Sequence, residues 1–330
     1  MEYRRLGTSD LEVSAVIYGA WAIGGWMWGG TDDEDAVGAI RKAIDVGMTT
    51  IDTAPMYGFG HSEKVVGEAI RGRREGLQIA TKCGLVWDRE EGEYFFDTED
   101  PDGNPVRIHR NLKKDNILRE VDLSMERLGV DCIDLYQCHW PDETTPLKET
   151  MEALTQLLDE GRIKAIGVSN FTPEMIEECR KHGPVHCDQP PYDMLRRDAE
   201  EELLPYCAAN DVGVIVYSPL HQGLLTGKVT MDRTFNEGDK RSDRPWFQPN
   251  NRKRVLEFLD KVRPIAEAHG KTLAQLAVNW CLCQEGITCA IVGARRADQV
   301  EENAGGAGWS LTEEETAQIR SWLEELGGPE

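Results

Sequence analysis

The chain has 330 residues, 40% of them hydrophobic and 29% charged, which is enough to bury a large core without disulfide bonds or structural metals. Asp and Glu number 59 against 37 Lys and Arg, a formal net charge of −22, and this balance argues against binding to nucleic acid or to an anionic membrane surface. The sequence has no apolar run near the ~20 residues of a membrane-spanning helix and no apolar signal segment at its start, and its nine cysteines are scattered, so we expect reduced thiols in the cytoplasm.

Eight short apolar runs, several of them rich in β-branched residues, predict β-strands. Some are continuously apolar, as in residues 212–217, and such runs are typical of parallel strands that are buried on both faces. In chain order the runs cover residues 13–19, 49–52, 77–82, 132–139, 164–170, 186–189, 212–218 and 288–293.

Helical patterns separate these runs. Ala36, Ile40 and Ala43 share one helical face, and Gly47 follows at the position of a left-handed C-cap. Four N-terminal capping signals predict where other helices begin. These signals are Thr145-Pro146, Thr172-Pro173, Asp198 with Glu201, and Thr312 with Glu315.

The alternation of strand and helix predicts a (β/α)8 TIM barrel of the α/β class, formed by residues 1–330 as a single domain. The alternative is a doubly wound open sheet, which should carry G-x-G-x-x-G after its first strand. Residues 19–25 follow the first strand here and lack that spacing. Residues 3–6 and 11–14 flank a turn-rich stretch, and they predict an N-terminal β-hairpin that closes the N-terminal end of the barrel.

Two long segments, 84–111 and 221–251, contain repeated glycines and prolines, among them Gly238, and match neither a strand nor a helix pattern. Loops of this length in a compact domain are usually lids or binding loops. The segments follow the third and the seventh predicted strand. Both should therefore lie on the C-terminal face of the barrel, where active sites of this fold are built.

Four residues with reactive side chains end the predicted strands or follow them closely: Asp52, Tyr57, Lys82 and His139. A lysine in this position could be a Schiff-base nucleophile, whereas a neighbouring carboxylate favours its charged form. A charged Lys82 would lower the pKa of Tyr57 from ~10 towards neutrality and make the phenol an efficient general acid and base. Taken singly, each residue also fits a structural role, as a turn cap, a loop aromatic, a surface lysine or a core histidine.

The sequence around these residues resembles the aldo-keto reductase family, and its bacterial general-stress-type branch in particular. The motifs that carry the resemblance occur in order along essentially the whole chain. They are Ile51-Asp52-Thr53-Ala54-Pro55-Met56-Tyr57-Gly58, Gly60-His61-Ser62-Glu63, Ala80-Thr81-Lys82, Asp134-Leu135-Tyr136-Gln137-Cys138-His139-Trp140-Pro141, Ile166-Gly167-Val168-Ser169-Asn170-Phe171, Tyr217-Ser218-Pro219-Leu220, Gly223-Leu224-Leu225-Thr226-Gly227-Lys228 and Gly293-Ala294-Arg295.

The resemblance implies the same barrel and a metal-free, reversible hydride transfer between a nicotinamide cofactor and a carbonyl or alcohol. Tyr57 matches the family's proton donor, and Lys82 matches the residue that lowers the pKa of that donor. Asp52 matches the partner of the lysine, and His139 matches the histidine that orients the carbonyl oxygen. We therefore expect NADPH-dependent reduction of aldehydes and ketones, carried out by a cytoplasmic enzyme that is a monomer like many of its relatives.

The resemblance also assigns cofactor positions. Ser169, Asn170 and Gln189 match residues that hydrogen-bond the carboxamide, and Tyr217 matches the aromatic residue that stacks on the nicotinamide ring, with core packing as the alternative. The other assigned positions are Gly19, Ala20, Trp21 and Asp52, then Ser218, Leu220, Gly223 and Lys228 around the pyrophosphate, and Gly293, Ala294, Arg295, Gln299, Glu302 and Asn303 at the adenosine end.

The adenosine end bears on the choice between NADPH and NADH. Arg295 can offer a bidentate contact to the 2′-phosphate of NADPH. The aldose-reductase branch carries a lysine and an arginine where this chain has Gly293 and Gln299, so the use of NADH stays open.

Aromatic side chains near the expected mouth predict an apolar pocket for aromatic or medium-chain aldehydes. Two other functions are open. One is a regulatory subunit resembling potassium-channel β-subunits, although those usually carry an extension ahead of the barrel, whereas this chain starts at the hairpin. The other is a sugar or polyol dehydrogenase that works oxidatively. The predicted pocket residues are Trp21, Trp26, Tyr57, Trp87, His139 and Trp140.

Overall fold

The computed structural model describes residues 1–235 and 239–330, and thirteen strands lie in that part of the chain. In chain order they are β1 (Tyr3–Arg5), β2 (Glu12–Ser14), β3 (Val16–Gly19), β4 (Thr50–Asp52), β5 (Gln78–Cys83), β6 (Leu85–Val86), β7 (Glu93–Glu99), β8 (Pro105–Arg110), β9 (Ile133–Cys138), β10 (Ile163–Ser169), β11 (Cys187–Gln189), β12 (Gly213–Tyr217) and β13 (Cys289–Gly293).

Eight parallel strands close into a barrel, which confirms the predicted fold. Their order around the barrel is β3, β4, β5, β9, β10, β11, β12 and β13, and β13 pairs with β3 through Gly293 and Gly19 to complete the circle. Each of these strands lies on one of the eight apolar runs, although residues 13 and 14 belong to β2 rather than to β3. All eight strands point the same way, so their carboxyl ends meet at one mouth.

Helices surround the barrel. In the described ranges they are α1 (Asp33–Asp45), α2 (His61–Ile70), α3 (Lys114–Leu128), α4 (Leu147–Asp159), α5 (Pro173–Arg180), α6 (Leu203–Ala209), α7 (Pro249–Ala268), α8 (Leu273–Leu282), α9 (Ala297–Ala304) and α10 (Glu313–Leu326). None of these helices is long and apolar enough to cross a membrane.

Two of the four predicted helix starts are confirmed. Thr172 caps α5 and Thr312 caps α10, the latter in a complete capping box with Glu315. Thr145 does not cap a helix, because its hydroxyl donates to Asp142 and α4 begins only at Leu147. Residues 198–200 form a short 3-10 helix with no side-chain cap, so the start predicted from Asp198 and Glu201 is also wrong.

The N-terminal hairpin closes the N-terminal end of the barrel, as the sequence predicted. Strands β1 and β2 pair antiparallel, and Leu6, Leu11 and Val13 pack against the apolar side chains inside the barrel. The turn requires Gly7, which has a φ of +51° and lies so close to β11 that a Cβ atom would sit 2.1 Å from the carbonyl oxygen of His186.

Segment 84–111 is not the unstructured loop that its glycines and prolines indicated. Strands β6, β8 and β7 form a small antiparallel sheet in that order. The turn between β7 and β8 is held by Asp100, whose side chain accepts hydrogen bonds from Asn104. The sequence pattern missed these strands because β7 is only half-buried and carries apolar and acidic side chains in close succession.

Segment 221–251 contains three short 3-10 helices, at His221–Thr226, Lys240–Asp243 and Pro245–Phe247. Residues 236–238, which include the turn signal Gly238, lie outside the described residues. Buried Trp246 and Phe247 anchor the end of the segment in the core. The predicted loop extends too far, because α7 already begins at Pro249.

Candidate functional site

The mouth of the barrel brings Asp52, Tyr57, Lys82 and His139 together. The fully buried Lys82 Nζ donates to Asp52 Oδ1 at 2.6 Å and to the Thr53 carbonyl oxygen at 3.0 Å, and it lies 3.3 Å from the Tyr57 hydroxyl. The His139 ring stands edge-on to the Tyr57 ring, with centroids 5.8 Å apart. A lysine, a phenol and an imidazole therefore share one wall of the mouth.

The surroundings of Tyr57 keep its hydroxyl protonated. Burial and the charge of Asp52 raise the pKa of Tyr57 well above its ordinary value. The expectation of a lowered Tyr57 pKa is therefore wrong for this structure, because a phenolate would lose water and face a carboxylate to which Lys82 is already bound. Burial also lowers the pKa of Lys82, and Asp52 opposes that shift.

His139 is neutral at physiological pH. Burial and the nearby ammonium of Lys82 hold the pKa of His139 well below its ordinary value. A neutral imidazole carries one N–H and can donate it to a carbonyl oxygen in the cleft. A hydrogen bond also holds the backbone of His139, since Asn170 Nδ2 donates to the His139 carbonyl oxygen at 3.1 Å.

Two buried amides complete the surroundings of Asp52. Gln189 Nε2 donates to Asp52 Oδ2 at 2.9 Å, and Gln137 Nε2 donates to the same oxygen at 3.3 Å. The two amides also bond each other at 3.1 Å. Sequence reasoning gave Gln137 no role, although it lies two residues before His139 and strand alternation points both side chains the same way.

Nearly all the positions assigned to the cofactor line one cleft of about 760 Å³, together with Tyr57 and His139. The exception is Ala20, which is completely buried behind the cleft wall. The lining positions are Gly19, Trp21, Asp52, Ser169, Asn170, Gln189, Tyr217, Ser218, Leu220, Gly223, Lys228, Gly293, Ala294, Arg295, Gln299, Glu302 and Asn303.

Hydrogen bonds fix the residues at the inner end of this cleft. The Tyr217 hydroxyl donates to Asn170 Oδ1 at 2.9 Å, Asn170 Nδ2 donates to Ser169 Oγ at 3.0 Å, and Ser169 Oγ donates to the Gln189 carbonyl oxygen at 2.7 Å. Asn170 and Ser218 both have a φ of +63°, a backbone strain that often marks binding sites. The Tyr217 ring is thereby held as one wall of the cleft.

The outer cleft is cationic although the chain is strongly acidic. Arg295 Nη1 donates to the carbonyl oxygens of Trp28 and Gly30, and Arg241 lies over the Trp28 ring at 5.2 Å. Burial, followed by the like charge of Arg241, lowers the pKa of Arg295. The sequence pointed to Arg295 and Lys228 but missed Arg233, Arg241 and Arg296. It also missed Arg196 and Arg244, which line another part of the cleft, near Tyr217.

These observations fit a nicotinamide dinucleotide. Positively charged side chains and glycines along the cleft suit a pyrophosphate. The guanidinium groups of Arg295 and Arg241 repel each other, and an additional phosphate between them would relieve that repulsion. The Tyr217 face and the polar groups of Ser169 and Asn170 suit a flat ring that carries an amide.

Five of the six predicted pocket residues line the same cleft: Trp21, Trp26, Tyr57, His139 and Trp140. Trp87 does not, because its ring packs on Phe59 at 5.4 Å and lines a separate pocket of about 310 Å³. Two aromatic residues of β7 line the main cleft instead. Phe95 packs against Trp140 with centroids 5.4 Å apart, and Phe96 stacks on Trp26 at 6.3 Å.

The barrel and the residues at its mouth define a class of oxidoreductases that use a nicotinamide cofactor. The model of the Aldo/keto reductase family matches residues 15–324, and the chain belongs to that family. It is accordingly an NAD(P)H-dependent oxidoreductase, and the resemblance seen in the sequence is confirmed.

Named relatives span almost the whole chain. It is 41% identical to aldo-keto reductase YhdN of Bacillus subtilis, covering 98% of this chain and 94% of the relative. It is 38% identical to the NADH-specific methylglyoxal reductase of Escherichia coli, covering 97% and 98%. Among solved structures, the glycerol dehydrogenase AKR11B4 from Gluconobacter oxydans superposes with a TM-score of 0.88 at 40% identity, covering 98% of this chain and 95% of that one.

Proposed function

We propose that this enzyme reduces aldehydes and ketones to alcohols with NADPH, by a reversible hydride transfer in which Tyr57 supplies the proton. The observation that carries the proposal is the contact of 3.3 Å between the Tyr57 hydroxyl and Lys82 Nζ at the mouth of the cleft. The bound cofactor would supply the hydride. All other steps fall to side chains of this chain.

Each side chain of the mouth has a part in the proton transfer. Tyr57 is protonated in the resting site, because its pKa is raised, and it gives its proton to the carbonyl oxygen as negative charge develops there. Lys82 stabilises the phenolate that remains, at a distance where burial strengthens the attraction. The neutral His139 donates its N–H to the same carbonyl oxygen and orients it.

The cleft supports a bound dinucleotide along its length. In the proposed complex, Ser169 and Asn170 would hold the carboxamide and Tyr217 would stack on the ring, which is supported by their position along the cleft. Gln189 is engaged with Asp52 and Gln137, so its side chain contributes mainly by fixing Asp52. Arg295 is the group we assign to the 2′-phosphate. A relative named NADH-specific shows that this family also accommodates NADH, so both cofactors belong in the test.

Oxidation of a polyol is the second candidate function, because one of the solved structures similar to this chain is that of a glycerol dehydrogenase. The same residues serve both directions, with the Tyr57 phenolate as base in oxidation. A regulatory subunit would bind cofactor without turnover.

We also propose that the chain acts as a monomer and in the cytoplasm, where its nine free thiols would stay reduced.

One pair of assays separates these functions. NADPH and NADH oxidation is followed over aldehydes, ketones and sugars, and NADP⁺ reduction over glycerol and other polyols. Replacing Tyr57 by Phe keeps the ring and removes the proton donor, so cofactor binding should be unchanged while turnover falls by at least ~10². A Tyr57→Phe enzyme that keeps more than about a third of its turnover contradicts the assigned role.

A further inference from the structure

Two arginines that line the cleft have no role in the contacts assigned so far. Arg196 and Arg244 both line the cleft beside Tyr217. Burial raises the pKa of Tyr217 to about 12, and the positive charge of Arg196 opposes that rise. Tyr217, in turn, counteracts the lowering of the Arg244 pKa. Both guanidinium groups therefore lie within electrostatic reach of Tyr217. The segment that carries Arg196 is also bonded to that residue, since Tyr192 N donates to the Tyr217 carbonyl oxygen at 3.2 Å.

The part of the chain that the structure describes provides little compensation for their charges. Over residues 1–235 and 239–330, Arg244 makes no ion pair or side-chain hydrogen bond, and the ion pair of Arg196 is a contact of 3.7 Å with Asp198. Both partners of that pair are exposed, so it contributes little. Partial removal from water and the like charge of Arg196 lower the pKa of Arg244. Both guanidinium groups are therefore available to an anion that enters the cleft.

Rigid turns present both arginines. Asp193 and Arg196 exchange two backbone hydrogen bonds of 3.1 Å, and the buried Asp193 carboxylate also binds His221 at 2.9 Å. Arg244 immediately precedes Pro245, Trp246 and Phe247, a 3-10 turn whose aromatic side chains are buried. The guanidinium groups thus extend from fixed backbone rather than from free loops.

We propose that Arg196 and Arg244 select carbonyl substrates that carry an anionic group, a carboxylate or a phosphate, away from the reacting carbonyl. Planar guanidinium groups match both kinds of oxyanion by bidentate contacts. The apolar wall formed by Trp26, Phe96 and Trp140 would take the body of such a substrate. This inference rests on the proposed carbonyl reduction and specifies its substrate class.

Matched substrates test the proposal. 4-Carboxybenzaldehyde is compared with its neutral methyl ester, and glyceraldehyde 3-phosphate with glyceraldehyde, in the wild type and in Arg196→Gln, Arg244→Gln and the double variant. Arg197→Gln is the control, because Arg197 belongs to the same turn but does not line the cleft. An exposed ion pair contributes up to about 5-fold in affinity, so the two arginines together should favour a charged substrate by up to about 25-fold.

The expected result is a kcat/KM that is higher for the charged member of at least one pair, falling to that of its neutral partner in the double variant. The neutral substrates and the Kd of NADPH should change less than about twofold, and Arg197→Gln should keep the preference. Equal rates within both pairs in the wild type overturn the proposal, as does a double variant that slows charged and neutral substrates alike or weakens NADPH.

A binding measurement separates this inference from the proposed function. Titration calorimetry compares 4-carboxybenzyl alcohol with its methyl ester on the enzyme saturated with NADP⁺. If the wild type reduces neither aldehyde, the proposed reduction fails, yet tighter binding of the charged alcohol that depends on Arg196 and Arg244 still supports the anion site. Equal binding of the two alcohols overturns it.

Discussion

Replacing Lys82 by Met tests the coupling between the lysine and Tyr57. The charged Lys82 Nζ lies 3.3 Å from the Tyr57 oxygen, and at an effective dielectric constant near 20 this distance corresponds to an attraction for the phenolate of at most about 5 kcal/mol. Asp52 acts in the opposite sense on Tyr57, so the net effect of Lys82 on the Tyr57 pKa is smaller than this limit. Without Lys82, the phenolate needed for alcohol oxidation forms only at higher pH, and turnover at pH 7 falls by at least ~10².

The assay is the pH profile of NADP⁺-dependent alcohol oxidation. Lys82→Met should move the rising limb to higher pH, while Asp52→Asn in the same background should move it partly back, because it removes the charge that opposes the phenolate. The double variant also avoids leaving Asp52 as an unpaired buried charge, which would destabilise the fold. A Lys82→Met profile that overlays that of the wild type would refute the coupling.

Three further outcomes follow from the structure. Arg295→Ala should weaken NADPH binding by about 10-fold and leave NADH binding within about twofold. Arg296→Ala should change neither, since Arg296 is held by Asp298. Quenching of tryptophan fluorescence measures the binding of both cofactors, and equal weakening of the two excludes a role for Arg295 in recognising the 2′-phosphate. The kcat of carbonyl reduction should be flat from about pH 6 to 8.5, because the raised Tyr57 pKa keeps the donor protonated and the lowered His139 pKa keeps the imidazole neutral; a bell-shaped profile centred near pH 7 would contradict both assignments. Gly7→Ala should lower the free energy of unfolding by more than about 2 kcal/mol, since a Cβ atom there meets a backbone oxygen, and thermal unfolding should show a larger loss than for Gly72→Ala, whose φ is also positive but whose Cβ would meet nothing within 4 Å.

The barrel could be predicted from sequence because parallel strands buried on both faces leave continuous apolar runs. The positions of Asp52, Lys82 and His139 followed from the same fact, since parallel strands bring their carboxyl ends to one mouth. The sequence did not predict the small sheet of β6, β7 and β8. Its strands are partly exposed, so neither alternation nor continuous apolarity marks them, and the aromatic residues Phe95 and Phe96 that it brings to the cleft could not be placed.

The direction of the Tyr57 pKa could not be predicted either, because it depends on distances between several charges. Sequence reasoning counted one neighbour of the phenol, the Lys82 ammonium. The structure adds the Asp52 carboxylate and the loss of water, and both act against the phenolate. Pairwise reasoning fails here because the Lys82 ammonium is shared among three oxygens, those of Asp52, Thr53 and Tyr57, and its shortest contact is to the Asp52 carboxylate.

That shared lysine explains why the surrounding amides matter to the chemistry. A buried ion pair is costly unless hydrogen bonds satisfy its remaining atoms. Asp52 Oδ1 accepts from Lys82, and Oδ2 accepts from Gln137 and Gln189, so both carboxylate oxygens are occupied. The carboxylate cannot turn towards the cleft without breaking these bonds. Lys82 is therefore held against the Tyr57 hydroxyl, and the proton transfer that we propose for Tyr57 depends on this contact.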